Sequence, residues 1–327
     1  MRAVFALLLL FAAPLHAECT GRNLIDALPA EQRAALVAAA DAVPFARGNL
    51  WRATKDGATV TLVGTYHLDD PRHDETIAVL YDLLLVSSAL LVEAGPAEEA
   101  ALKAHVAQNP SVLINTSGPT LPEALSQADW LRLSDALRAR GIPPFIAAKM
   151  QPWYLSTMLS IPACQFGDLA DLNGLDRRLI ALAEDWGVPV TALEPFDTLF
   201  SIFDSFSPAE QRDLLIQSLD IAASEDALAV TLADAYFSGQ SRLIWEFSKL
   251  QTQTLSQLSR EDTEAEFAKV ETVMITNRNR NWIAPIEAAA AAAEGPLIVA
   301  FGALHLSGEA GVLNLLAQGG WAVSPLK

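Results

Sequence analysis

Two histidines in matched settings are the residues whose types and spacing most clearly suggest chemistry. His67 lies three positions after Gly64, and His305 lies three positions after Gly302. Each glycine directly follows an apolar run typical of a buried strand, and the whole chain contains only five histidines. A glycine at the end of a strand allows the backbone to turn at once and to approach a ligand closely. The repeated Gly-x-x-His pattern therefore predicts that both imidazoles reach into one site.

Two glutamates end other apolar runs and are candidates for the same site. Glu93 follows the run 89–92, and Glu194 follows the run 188–193. In sheets of parallel strands, ligands bind beyond the carboxyl ends of the strands, so these carboxylates and the two imidazoles are expected to converge. Such a donor set suits a divalent transition metal such as zinc, manganese, cobalt or iron. The metal would activate water or polarise a carbonyl group, and the spare carboxylate would act as general base or acid.

A polar cluster at 277–282 supplies a third group of candidates. On a helix, Arg278 and Trp282 share a face, so Arg278 can point inward while Arg280 points outward. An inward arginine suits a substrate carboxylate or a developing oxyanion. The alternative is a solvated, polar helix start. Asp176 is a further candidate, and capping of the following helix is its competing role.

Each candidate also has a simpler structural interpretation. Either Gly-x-x-His histidine alone would be a hydrogen-bonded structural histidine, and it is the matched pair that favours function. Each glutamate is equally compatible with a loop carboxylate or a helix cap. His73, in a polar loop, and His105, on a predicted helix, are expected to be solvated. The chain has no G-x-S-x-G, H-E-x-x-H, P-loop or Rossmann glycine motif, which disfavours serine hydrolases, thermolysin-like proteases, kinases and dehydrogenases.

The pattern of apolar runs predicts an α/β fold. Strand–helix–strand segments with short connections indicate right-handed crossovers between parallel strands, and Asp56-Gly57 predicts a hairpin turn. We expect a central mixed, mainly parallel sheet built from two strand–GxxH–helix–strand units, with large helical insertions at about 97–170 and 196–276. A long helix at about 264–293 is expected to be continuous, or broken near 276–277 or at Pro285. The predicted strands that lead to the candidate residues are 59–63, 89–93, 188–193 and 297–301.

The N-terminus predicts export. Arg2 precedes an apolar run at 3–13, and the small-residue pattern at 15–17 predicts cleavage after Ala17. We therefore divide the chain into a signal peptide, 1–17, and a single domain, 18–327, that is secreted or periplasmic. No transmembrane segment is expected after cleavage.

The cysteines fit the same compartment. In an exported protein the two cysteines, Cys19 and Cys164, favour a disulfide, and two unpaired thiols are the alternative.

The charge of the chain excludes some partners. The formal net charge is −17. Nucleic-acid binding needs clustered lysine and arginine, so no nucleic-acid partner is expected. Adhesion to an anionic membrane surface is disfavoured for the same reason.

These residues resemble the TraB/GumN family, which includes the Tiki metalloproteases and the pheromone-shutdown proteins. The resemblance spans nearly the whole chain after the signal peptide. It implies a metal-dependent hydrolase that cleaves peptides, with His67 and His305 as metal histidines and Glu93 as ligand or base. Arg278 and Asn279 would be polar groups of the site. The motifs are Leu62-Val63-Gly64-Thr65-Tyr66-His67, Val92-Glu93, Gln151-Pro152-Trp153, Gly174-Leu175-Asp176, Leu193-Glu194, Arg278-Asn279 and Gly302-Ala303-Leu304-His305-Leu306-x-Gly308.

One position departs from the family pattern. The family often carries an acidic residue directly before the Arg-Asn pair, whereas this chain has Asn277. The family is also similar to folds that host erythromycin esterase and haem-binding proteins, so the resemblance in fold leaves the chemistry open.

Together these observations predict an exported, metal-dependent hydrolase of the peptidase type, acting on a peptide or another small substrate. His67, Glu93 and His305 would hold the metal, and Glu194 would transfer protons. Arg278 would bind the substrate carboxylate or oxyanion, and Asn279 would be a further catalytic residue of the site. The alternative is a non-catalytic periplasmic protein that binds a metal, haem or a peptide in the same crevice. A weaker third hypothesis, an accessory factor for envelope polysaccharide, rests only on the family's name.

Overall fold

One mixed sheet of six strands lies at the centre of the part of the chain that a computed structural model describes, residues 19–166, 173–222, 224–255 and 259–326. The predicted signal peptide, 1–17, lies outside these residues. The strand order is β4-β3-β5-β2-β1-β6. The first four pair in parallel, and β1 is antiparallel to both of its neighbours, which confirms the mixed, mainly parallel sheet. The strands are β1 (Leu50–Lys55), β2 (Ala58–Thr65), β3 (Ala89–Val92), β4 (Val190–Ala192), β5 (Leu297–Gly302) and β6 (Ala322–Pro325).

Helices cover both faces of the sheet and fill the two long connections that were predicted to be helical. In chain order, the helices in the described ranges are α1 (Ala30–Asp41), α2 (His73–Leu85), α3 (Pro96–Gln108), α4 (Leu121–Ala124), α5 (Gln127–Ala139), α6 (Pro144–Ala147), α7 (Pro152–Leu159), α8 (Leu175–Asp185), α9 (Thr198–Asp204), α10 (Pro208–Ala222), α11 (Glu225–Phe237), α12 (Ser241–Leu255), α13 (Arg260–Glu271), α14 (Asn277–Ala292) and α15 (Val312–Gln318).

The two central strands, β2 and β5, are buried on both faces because apolar side chains point alternately to two cores. Leu62 and Val299 face a core built with α14 and α15. Val63 and Ile298 face a second core built with α2 and α8. Full burial of an aliphatic side chain of this size stabilises a fold by about 1.5–3 kcal/mol. The nearly continuous apolar runs of these strands follow from this double coverage.

The two Gly-x-x-His segments are offset by one residue across the β2–β5 pair. Gly64 pairs with Phe301, and Gly302 pairs with Thr65. Since successive side chains in a strand point to opposite faces, a shift of one residue places equivalent side chains differently. His305 ends a 3₁₀ turn and is buried, whereas His67 lies in an exposed loop. The two units therefore share their order of elements without forming a symmetric pair of half-sites.

Glycine is needed at positions 64 and 302 for different structural reasons. A Cβ on Gly64 would lie 2.5 Å from the Leu306 side chain and 3.0 Å from Ala303, so this glycine lets the end of β2 pack against the turn after β5. Gly302 has ordinary strand dihedrals, and a Cβ there would point toward candidate site residues. Gly64 is thus a packing position and Gly302 a position that keeps space open.

The long helix predicted near 264–293 consists of two α-helices that are joined by a π-helical turn. A π-helical turn, Thr272–Thr276, joins α13 to α14 directly before Arg278. Pro285 lies inside α14 without ending it, so the predicted break at this proline is wrong. The break predicted near 276–277 takes the form of the π turn, a feature that is frequent at functional sites.

The sequence also indicates where three other helices begin. Asp74 is expected to cap α2, but it lies in the first turn and Arg72 is the capping position. The last helix is expected to begin at Gly308, but Gly308 adopts a left-handed φ of 101° and the helix begins at Val312. Pro152 is expected either to kink a helix or to start a new one, and it starts α7.

The predicted disulfide is present and joins Cys19 to Cys164. It ties the segment before α1 to the short turn after α7, within the helical part of the chain. In the described ranges, no helix combines the length and the apolar character that a membrane span requires.

Candidate functional site

The carboxyl ends of the parallel strands bring the candidate residues together. His67 follows β2, Glu93 follows β3, Glu194 lies just beyond β4, and Gly302 ends β5. The side chain of Arg278 reaches into this edge from α14 and contacts both glutamates. The convergence expected from the sequence is thus found at the expected edge of the sheet.

Arg278 lies at the centre of the group. Its Nε and Nη2 atoms donate to the two carboxylate oxygens of Glu194 at 2.9 and 2.6 Å, and Nη2 also donates to Glu93 Oε2 at 2.5 Å. Its Nη1 atom lies 3.4 Å from the Met274 carbonyl oxygen and 3.3 Å from His305 Nε2. A guanidinium has five N–H donors, and five acceptors surround this one. Contact with a substrate, as the sequence suggested, therefore requires Arg278 to exchange one of these partners.

Trp282 completes the support of the arginine and was not predicted as a site residue. Its indole N–H donates to Glu194 Oε2 at 3.1 Å. Its ring lies 4.9 Å from the guanidinium carbon of Arg278 and 4.6 Å from the imidazole of His305. The one signal in the sequence is the spacing of four residues from Arg278, which places the two side chains on one face of α14.

His305 is buried and held in one tautomer by Asn279. The amide nitrogen of Asn279 donates to the backbone carbonyls of His305 and Ala310, so its oxygen is the acceptor for His305 Nδ1 at 2.6 Å. The proton of the imidazole is therefore on Nδ1, and the Nε2 lone pair faces Arg278 and Glu93. Burial, with the neighbouring Arg278 cation, lowers the pKa of His305 to about 3. Asn279, itself buried, thus positions the histidine.

His67 is held by a different partner, Asp176. Its Nδ1 atom lies 3.0 Å from Asp176 Oδ1, so its Nε2 atom is again the one directed to the site. Burial lowers the pKa of His67, but the hydrogen bond and the charge of Asp176, with the charge of Glu93, outweigh it and raise the pKa to about 9. The side chain of His67 is nevertheless 58% exposed.

The Gly174-Leu175-Asp176 segment explains how His67 is seated. A Cβ on Gly174 would lie only 2.3 Å from the His67 backbone, so this close approach requires glycine. The Leu175 N–H donates to the Tyr66 carbonyl at 3.0 Å, which fixes the loop to the start of α8. Gly174, not Asp176, is the capping position of α8, so the competing capping role of Asp176 is not found.

Glu93 accepts a hydrogen bond from Gly302 and borders the same space as the two histidines. The backbone N–H of Gly302 donates to Glu93 Oε1 at 2.6 Å. Burial raises the pKa of Glu93, but the neighbouring His305, the charges of Arg278 and His67 and this N–H outweigh it and lower the pKa of the carboxyl. A Cβ on Gly302 would lie 3.3 Å from Glu93 Oε1, 3.3 Å from His67 Nε2 and 3.6 Å from His305 Cδ2. The space in front of Gly302 is therefore bordered by a carboxylate oxygen of Glu93, the Nε2 atom of His67 and the Cδ2 edge of the His305 ring.

This space fits a divalent metal in the chemistry of its donors. His67 directs Nε2 toward it and His305 borders it with the adjacent ring carbon Cδ2. An oxygen acceptor holds Nδ1 of each ring, the usual arrangement of metal-binding histidines. The candidate ligand atoms are more widely spaced than the ligands of a bound metal ion. Within the described ranges, three or more possible ligand atoms lie within 4.8 Å of one another only at Cys19, Cys164 and Asp226, where the sulfurs form the disulfide. Arg278 contacts Glu93 and His305 on the same side. A metal would have to compete with its guanidinium for these two residues.

The two other histidines in the described ranges are less exposed than expected. His73 is fully buried rather than solvated, so that prediction is wrong. Its Nε2–H donates to the Leu68 carbonyl at 2.9 Å, and its ring packs against Tyr236 and Phe237. This anchors the far end of the loop that carries His67. His105 is half-buried in the structure.

Comparison with known protein families shows the family to which this chain belongs. The model of the TraB/PrgY/gumN family matches residues 49–325. The chain belongs to the TraB/PrgY/gumN family. The matched range includes all six strands and every candidate residue from His67 to His305, which confirms the resemblance inferred from the motifs. No curated protein matches the chain.

In this member of the TraB/PrgY/gumN family, Asp176→Asn is expected to lower the pKa of His67 from about 9 toward its ordinary value of 6.5, because the carboxylate charge is lost. A pH titration of the imidazole protons by NMR, in chelator, measures this directly. Asp185→Asn, at the exposed end of the same helix, is the matched control and should leave the pKa unchanged. An unchanged His67 pKa in Asp176→Asn would refute the pairing.

Proposed function

We propose that this protein is a metal-dependent hydrolase of peptide or related amide bonds. The observation that carries the proposal is the space in front of Gly302, which is bordered by Glu93 and by two imidazoles whose Nδ1 atoms are held by other residues. His67, Glu93 and His305 are the proposed ligands of a zinc, manganese, cobalt or iron ion. When bound, such an ion would polarise the scissile carbonyl and activate water.

The protein's own residues have distinct roles in this proposal. Asn279 holds His305 with its proton on Nδ1 and Nε2 unprotonated. Asp176 holds Nδ1 of His67, so that the proton on Nε2 would leave when a metal binds there. Glu194 holds Arg278 through Nε and Nη2, and the indole N–H of Trp282 in turn holds Glu194. The remaining N–H groups of Arg278, once released from Glu93 and His305, would donate to the oxyanion that develops on the substrate. The proton-transfer role of Glu194 stays a prediction, since both of its oxygens accept hydrogen bonds.

Export is part of the proposal. A disulfide persists in oxidising compartments, and the pair Cys19–Cys164 is consistent with a secreted or periplasmic protein. The predicted signal peptide, 1–17, agrees with that location.

A mixture of internally quenched peptides tests the hydrolase directly. Cleavage is expected with the metal-loaded protein, to disappear in chelator and to return with added metal. Glu93→Gln is expected to lower the rate by roughly a hundredfold or more, because a ligand worth several kcal/mol is weakened. Glu99→Gln, on the neighbouring helix, is the matched control. Full activity in chelator, or in Glu93→Gln, would contradict the proposal.

A non-catalytic binding protein is the second candidate, favoured by the saturation of Arg278 with protein acceptors. Metal or peptide binding without cleavage of any peptide in the same mixture would support it.

A further inference from the structure

A cavity of about 450 Å³ lies among the helices next to the candidate site. It is bounded by α7, α9, α10, α12, α13 and the π turn. Its size falls in the range of pockets that bury a small ligand or several side chains. Apolar side chains provide much of its wall, among them Leu199, Phe203, Phe206, Leu214, Phe267 and Met274.

The hydroxyl groups in the wall do not make it polar. Ser156, Ser218 and Ser248 line the cavity, and each hydroxyl donates to a backbone carbonyl of its own helix. Their donors are therefore already used, and these serines offer an occupant only weak acceptors. Burial of an apolar group is the favourable interaction that this wall provides.

The cavity wall is acidic where it carries charge. Glu210, Asp213 and Glu266 line it together with a single cation among its named lining residues, Lys269. Lys269 forms an ion pair with Glu210, which leaves the other two carboxylates without a cation of their own in this wall. These carboxylates would repel an apolar occupant that carries an anionic group. They would accept an apolar occupant whose neighbouring group is neutral or basic.

The cavity lies beside the candidate site at Met274. The Met274 residue belongs to the wall, and its backbone carbonyl faces Arg278 Nη1 at 3.4 Å. Four helical residues separate the Cα atoms of Met274 and Arg278 by about 6 Å along the axis. Leu199, another residue of the wall, follows Glu194 by five positions. The cavity wall and the site residues Arg278 and Glu194 are therefore neighbours.

We propose that this cavity is a specificity subsite that takes a bulky apolar side chain of a peptide substrate whose neighbouring residues are neutral or basic. This inference rests on the proposed function, because it names the substrate class of that site. The occupant is a side chain of the substrate rather than a free fatty acid, since the cavity wall is acidic and its Met274 contacts Arg278 of the candidate site.

Binding of three capped hexapeptides, measured by calorimetry in chelator, tests the subsite without turnover. The first contains one phenylalanine and one lysine among alanines, the second has alanine in place of phenylalanine, and the third has glutamate in place of lysine. The first is expected to bind about 10- to 100-fold more tightly than the second, from burial of the aromatic ring. The third is expected to bind more weakly than the first.

Variants that fill the cavity complete the test. Ser248→Leu and Ser218→Leu should each reduce the preference for phenylalanine to less than about threefold, a loss of most of the burial energy. Thr254→Leu, on an exposed position of α12, is the matched control and should keep it. Thermal unfolding checks that each variant is folded. Equal affinities of the wild type for the first two peptides, or a preference that survives in both folded filling variants, would overturn the subsite.

The outcomes separate this inference from the proposed function. If the phenylalanine peptide binds preferentially but the metal-loaded protein cleaves no peptide, the subsite stands and the hydrolase falls. If the metal-loaded protein cleaves the first two peptides with equal kcat/KM, the hydrolase stands and the subsite falls.

Discussion

Replacing Arg278 with methionine is expected to lower the free energy of unfolding by about 3–5 kcal/mol, the usual cost of breaking a buried ion pair from one side. The Arg278 side chain is only 14% exposed, and its carboxylate partners Glu93 and Glu194 are 20% and 14% exposed. Without the guanidinium, two poorly solvated carboxylates would lack a cation. The pKa of Glu93, now near 2, would rise as a consequence.

Urea unfolding at neutral pH in chelator measures this effect. Arg280→Met is the matched control, because Arg280 lies on the same helix with an exposed side chain. A zinc or manganese ion should restore much of the stability of Arg278→Met, since it would supply the missing positive charge and bind only the folded state. Equal stability of the two variants would show that Arg278 does not hold the carboxylates together.

Loss of the disulfide is expected to have an effect of similar size. Cys19 and Cys164 are 145 positions apart in the chain, so the cross-link restricts a long loop in the unfolded state. The chain-entropy model gives a stabilisation of about 5 kcal/mol for a loop of this length. We expect the reduced protein to unfold at a correspondingly lower urea concentration.

Unfolding with and without reductant tests this prediction. A Cys19→Ser, Cys164→Ser double variant is the control, because reductant should not change its stability. If reductant leaves the wild type unchanged while thiol counting shows two free cysteines, the disulfide does not stabilise the fold.

The sheet and the edge at which the site lies were predictable from the sequence, because both depend on local signals. Apolar runs that end in glycine or glutamate marked the strands, and the carboxyl ends of parallel strands meet at one edge. The offset between Gly64 and Gly302 was not predictable, since pairing register depends on contacts between distant segments. The different burial of the two histidines was not predictable either, because His305 lies in a buried 3₁₀ turn and His67 in an exposed loop.

The ion pairs of the site were beyond sequence reasoning for the same reason. Arg278 was correctly placed on an inward helix face, but its partners come from two other strand ends, far away in the chain. The contact of Asp176 with His67 had a local competitor, helix capping, and only the close approach at Gly174 decided between the two roles.

The most direct test of the proposed site is the metal content of the purified protein after equilibrium dialysis against zinc. About one ion per chain is expected for the wild type and for His105→Ala, whose histidine lies outside the site. His67→Ala and His305→Ala, verified as folded, should each retain no zinc above the background of the buffer. A wild-type protein without bound zinc, manganese, cobalt or iron, or histidine variants that bind as well as the wild type, would contradict the metal site.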